Sequence, residues 1–239
     1  MKKVLATIAV VSLMAAATTA SALTIVGTKH DLSSTGGGTY KSTNTSQICV
    51  FCHTPHNAVG NSGVQGSYYP LWNRNNPVGS TFKLYSSGSM QNGYLTGGQG
   101  GASTGFTADS VSLYCMSCHD GQTALGAVKN KPLDVASTIS MTSGTISGTA
   151  NLNDSPNSLM NDHPVNFNLT NGADPAIGVV TTNTVGTAAI TKKLPLFKSA
   201  RGNTSLECAS CHAVHDNAEG MFLRTTMNGS LLCLGCHIK

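Results

Sequence analysis

Apolar residues come in short bursts along this chain, with no long periodic stretch. The longest charge-free burst, 4–17, follows Lys2 and Lys3 and precedes the small-residue step Ala20-Ser21-Ala22. That order reads as a secretory signal peptide over residues 1–22, leaving 23–239 as the mature domain. A membrane anchor is the poorer reading, because a spanning helix needs about 20 apolar residues. Two later bursts, 135–151 and 179–191, are rich in Val, Ile and Thr with Gly breaks. They predict short strands or a hairpin inside a strand-rich insertion over 132–200. Residues 57–110 are punctuated by Gly, Asn and Pro, with Gly97-Gly98 and Gly100-Gly101 as plain loop. The pattern predicts mostly irregular backbone, with short helices and a few short strands.

Such a chain lacks material for an ordinary interior. Aromatic residues are 5% and charged residues 10%, against 26 glycines, so apolar bulk must come from elsewhere. The formal net charge is +4, and Lys2 and Lys3 supply two of those charges. That balance, with no basic run, excludes nucleic acid as a partner, and no later segment is long enough to span a membrane.

The eight cysteines have one arrangement. Cys49-Val50-Phe51-Cys52-His53, Cys115-Met116-Ser117-Cys118-His119, Cys208-Ala209-Ser210-Cys211-His212 and Cys233-Leu234-Gly235-Cys236-His237 use all of them. C-x-x-C-H is the attachment pattern of c-type haem. Two residues between the cysteines let two thioethers reach one porphyrin edge, and the following His meets the ring face as an axial ligand. Cys208/Cys211 with Cys233/Cys236 would also suit a zinc ribbon, but zinc does not require His after each second Cys. The expectation is four covalently bound haem c groups, attached through the eight cysteines and ligated by His53, His119, His212 and His237.

Four histidines remain, His30, His56, His163 and His215, one for each further axial position. His56 and His215 each follow a proximal histidine by three residues, so each shares a face with it and cannot reach the far side of the same iron. Each is therefore expected on a different haem, which requires close stacking: His215 on the fourth and His56 on the second. His30 and His163 are left for the first and third. His163 precedes Pro164 and should sit in a loop. Met90, Met116, Met141, Met160, Met221 and Met227 could replace histidine, but the histidine count closes without them, predicting bis-histidine ligation and low potentials. Trp72, with Tyr68 and Tyr69, is expected against a porphyrin face.

The stretches 28–33 (Thr-Lys-His-Asp-Leu-Ser), 49–57 and 208–216 resemble the multihaem cytochromes of anaerobic metal-reducing bacteria, and with four motifs and this length the chain is most similar to the OmcE-type tetrahaem extracellular cytochromes. The resemblance implies a multihaem cytochrome c fold whose core is four stacked haems. It also implies a secreted, extracellular or cell-surface protein that polymerises head to tail into a conductive filament. One distal histidine would then come from the neighbouring copy, His30 or His163 in this sequence, and the other partners would be redox cytochromes and extracellular electron acceptors. A soluble periplasmic electron shuttle is the alternative. A multihaem reductase is the weaker one, because four spare histidines leave no iron position open for substrate. The expected role is electron transfer without catalysis.

Overall fold

The computed structural model describes residues 25–59, 71–92, 105–154 and 158–238. The signal peptide, Tyr68, Tyr69 and the paired glycines at 97–101 lie outside these. Most of the described chain is turn and coil. Helices are short: α1 (Ser112–His119), α2 (Cys208–Cys211) and α3 (Leu231–Leu234), with single 3-10 turns at Cys49–Phe51, Gly79–Thr81, Gly148–Ala150 and Asn228–Ser230. No helix among the described residues is long and apolar enough to cross a membrane.

Six short strands, β1 (Phe167–Asn168), β2 (Val179–Val180), β3 (Thr184–Gly186), β4 (Leu194–Pro195), β5 (Phe197–Ser199) and β6 (Gly202–Leu206), form two three-stranded antiparallel sheets, ordered β1-β6-β5 and β2-β3-β4. The expected hairpin over 179–191 is present as β2-β3, with Val180 opposite Val185. The expected strands over 135–151 are absent. Ser42 instead makes an isolated bridge to Met141, with Thr43 N–H on Ser140 O (2.8 Å) and Thr142 N–H on Lys41 O (2.8 Å). The serines, threonines and glycines of 135–151 offer no apolar face for a sheet, so this segment pairs with the N-terminal arm for only a few residues.

The protein core is shared between the insertion and the cysteine motifs. Leu113 and Met116 of α1 pack with Leu159, Phe167, Val185, Leu194, Leu196 and Leu206 in one buried cluster. Burying one such side chain is worth roughly 1.5–3 kcal/mol. A second, smaller cluster joins Leu32, Phe51, Val135 and Ile139, which docks the arm on the first motif. After α1 the chain turns at Gly121 (φ 69°), the left-handed position that stops a helix, and an added Cβ would collide with the Asn151 amide.

Candidate haem-binding centre

The C-x-x-C-H spacing produces the same local turn at each site. His53 N–H donates to Cys49 O (2.8 Å), His212 N–H to Cys208 O (3.0 Å) and His237 N–H to Cys233 O (2.8 Å), and the second motif ends α1. One helical turn thus places each Cys pair and its histidine on one side of the backbone. All eight cysteines are free thiols, standing where thioether sulfurs would form.

Different partners anchor each motif. A short stretch at 71–74 grips the first: Thr54 N–H bonds Leu71 O (2.8 Å), His53 bridges Trp72, and Asn73 donates through its N–H to Cys52 O (2.9 Å) and through Nδ2 to Val50 O (2.6 Å). The next residue, Arg74, reaches the second motif through Nη2–H on Ser117 O (3.0 Å). The third motif begins at Glu207, which forms a reciprocal capping pair with Ser210 on α2. Cys208 N–H bonds Ser112 Oγ (3.0 Å), joining α2 to the start of α1. The fourth motif is tied to the insertion by Gly178 N–H on Cys236 O (2.7 Å) and Thr187 N–H on Gly235 O (3.1 Å).

Cys49 and Cys233 are exposed and the other six cysteines half-buried, with sulfurs of successive motifs close enough to influence one another. Burial, then Cys118, pushes the Cys52 thiol up to about 12, with Arg74 pulling the other way. The Cys115 and Cys208 thiols hydrogen-bond to each other, which raises Cys115 and lowers Cys208. Burial, then Cys208 and Cys233, lifts Cys211 to about 11, and burial followed by Cys211 and Cys233 lifts Cys236 to about 12. Sulfurs of the first and second motifs, of the second and third, and of the third and fourth therefore lie near one another.

The histidine rings pair across the fold. His53 and His215 lie with ring centres 6.0 Å apart, His30 and His119 at 6.2 Å, and His163 and His237 at 6.4 Å. An ion held between two imidazoles, with metal–nitrogen bonds of about 2.0 Å, separates ring centres by about 6.4 Å. Each of the three pairs joins one motif histidine to one spare histidine, so the residues fit a bis-ligated iron. The unused ring nitrogens agree. His119 Nδ1 meets Ala150 O (2.7 Å), His163 Nδ1 meets Pro164 O (2.9 Å) and His212 Nδ1 meets Met221 O (2.9 Å). A carbonyl partner requires N–H at Nδ1 and leaves the Nε2 lone pair for a metal. Burial, then His119, His212 and His215, lowers His30 to about 4, so it stays in the neutral form a metal needs. Its ring also stacks on Phe222 at 4.2 Å.

These pairs differ from those expected from sequence separation. His215 stands beside the first motif, not the fourth; His30 is beside the second; His163 is beside the fourth. The reason is the anchoring: Cys208 on Ser112 carries the third motif and its trailing His215 to the first two, while the fourth stays on the insertion that bears His163. His56 and His212 are exposed, and no ring among the described residues faces either. Trp72 is buried, its ring 6.0 Å from His53 and 4.8 Å from Tyr114, and its Nε1 has no partner among the described residues. Of the candidate methionines, Met116 is fully buried in the core cluster.

Sequence reasoning missed Asn73, Arg74, Phe222 and Glu207. Only Glu207 carried a signal, an acid immediately before a helix-forming Cys-x-x-Cys with Ser three residues on.

The family model described as a doubled CXXCH motif matches residues 202–239, the third and fourth motifs with β6. This supports a multihaem c-type cytochrome with covalently bound haem c, and suggests electron transfer. No curated protein matches the chain.

Proposed function

We propose that this chain is an extracellular tetrahaem cytochrome that conducts electrons as a head-to-tail polymer. The three histidine pairs at 6.0–6.4 Å carry the proposal. Each pair would supply two histidine ligands to one iron and would leave it no open position for a substrate, which favours electron transfer over reduction chemistry. Bound haem supplies reversible one-electron chemistry at iron; the protein supplies ligands, spacing and electrostatics. His53 with His215 would hold the first iron, His119 with His30 the second, and His237 with His163 the fourth. The close sulfur groups support electron passage between neighbouring attachment edges within one chain.

His212 and His56 then remain for the third iron. Because His30 and His163 already face motif histidines of their own chain, the ligand that crosses between copies is assigned to His56, not to either of them. His56 of one copy would meet the iron on His212 of the next. A contact between different surfaces of identical chains repeats openly and makes a fibre. Export by the 1–22 leader would place that fibre outside the cell.

Negative-stain electron microscopy of the haem-loaded protein from the extracellular fraction tests this. Thin uniform filaments that disappear in His56→Ala support it. Discrete particles from the wild-type chain would instead identify a soluble shuttle.

A further inference from the structure

A ligating histidine is usually held in orientation by a hydrogen bond at the ring nitrogen that does not meet the metal. His119, His163 and His212 have such a partner, a backbone carbonyl at Nδ1. His30 does not: among the described residues, neither of its ring nitrogens makes a hydrogen bond. Its backbone is fixed instead. His30 N–H donates to Thr28 Oγ1 (3.3 Å), and Gly27 N–H and Ser33 Oγ donate to the Asp31 carboxylate (2.9 and 2.6 Å). Those bonds place the residue without setting how its ring turns about χ1 and χ2. The ring meets the face of Phe222, with centres 4.2 Å apart and planes 17° from parallel.

Phe222 is not ordinary core filling. It is buried, yet it joins neither of the two apolar clusters. Its backbone is left-handed at φ 57°, and so is that of Met221 at φ 47°. Two successive non-glycine residues in that region are strained, and such strain persists only where the surroundings over-determine it. Here Phe222 N–H donates to Asn217 Oδ1 (2.9 Å), Gly220 N–H to Asn217 O (3.1 Å) and Ala213 N–H to Phe222 O (2.7 Å). The two strained residues are the two that touch histidines: the Met221 carbonyl meets His212 Nδ1, and the Phe222 ring lies on His30.

We infer that Phe222 is a positioning residue that fixes the plane of the His30 imidazole and so sets it nearly perpendicular to that of His119. The inference rests on His30 and His119 being the two axial ligands of one iron. Their planes are 76° apart, against 32° for His53 and His215. The angle has an electronic consequence. Each imidazole raises the iron d orbital that overlaps its own π system. Parallel rings act on the same orbital and split the pair; perpendicular rings act on one each and leave the pair close in energy. The unpaired electron of low-spin ferric iron then keeps more orbital angular momentum, and its largest g value rises. The His30–His119 site is therefore a large-g centre, and the His53–His215 site an ordinary rhombic one.

The test is low-temperature electron paramagnetic resonance of the oxidised, haem-loaded full chain, with haem content measured on the same sample. The large-g component lost in His30→Ala identifies the site. Phe222→Leu keeps apolar bulk but removes the flat face. It should leave haem content and low-spin intensity unchanged while that component, about a quarter of the low-spin signal with four bis-histidine centres, moves to lower g. Phe222→Tyr keeps the face and should keep the signal. In a His30→Ala background, Phe222→Leu should change the remaining low-spin signals no further. If Phe222→Leu does not load haem, the wild-type and Phe222→Tyr spectra still decide. A wild-type spectrum without a large-g component, a shifted component in Phe222→Tyr, or an unmoved one in Phe222→Leu would overturn the positioning role. Full low-spin intensity in His30→Ala would instead overturn the ligand assignment beneath it.

Discussion

Replacing His30 by alanine should convert one haem in the protein from low spin to high spin. The His30 ring centre lies 6.2 Å from that of His119, within about 0.2 Å of the spacing two ligands of one metal require. No other histidine ring pairs with His119 among the described residues. With four equivalent bis-histidine centres, the expected loss is about a quarter of the low-spin signal. The substitution also removes the stack on Phe222 at 4.2 Å, worth roughly 0.5–1.5 kcal/mol, so the folded protein should survive. Low-temperature electron paramagnetic resonance of the oxidised protein measures the change directly. His30→Met serves as the companion: it should keep the iron six-coordinate and raise its potential. His215→Ala should remove another quarter, because it serves a different iron, and in a Cys49→Ala/Cys52→Ala background it should change nothing further. Full low-spin intensity in His30→Ala would refute the ring-pair reasoning.

Other outcomes follow from the same geometry. In the haem-free chain, stability should fall as pH drops from about 6.5 to 4 and level off below. In that window the unfolded chain protonates His30 while the folded chain, where burial lowers it to about 4, does not; acid titration by circular dichroism, with His30→Gln as the reference, checks the slope. Asn73→Ala should cost about 3 kcal/mol, since it strips a buried amide from Val50 O and from the Asn130 backbone; the measurement is thermal melting together with retention of the first haem. Gly121→Ala should cost roughly 1–2 kcal/mol, because residue 121 is left-handed at φ 69°, and the same melts report it.

The cysteine motifs were legible because they are covalent chemistry written in consecutive residues, and each forms the same one-turn geometry. The coil-rich fold was legible too, from the scarcity of periodic apolar segments and the density of Gly, Ser, Thr and Asn. Which spare histidine meets which motif was not legible. That depends on contacts between residues nearly a hundred positions apart, such as Cys208 on Ser112, and proximity in sequence pointed His215 to a motif other than the one its ring lies beside. The strands misplaced at 135–151 have a similar cause: Val and Ile there pack singly against the N-terminal arm, as Val135 and Ile139 do beside Leu32 and Phe51. Arg74 sits in a polar loop with no pattern around it, and only its burial against three carbonyls distinguishes it.

The most direct test of the account is the mass of the intact chain, exported from a cell that attaches haem c, combined with haem quantitation and the low-spin fraction of its irons. The account predicts four haems per chain, no free thiols and wholly low-spin iron in the assembled protein. Fewer haems with reactive or zinc-bound cysteines, or a stable high-spin iron in the assembled wild-type protein, would contradict it.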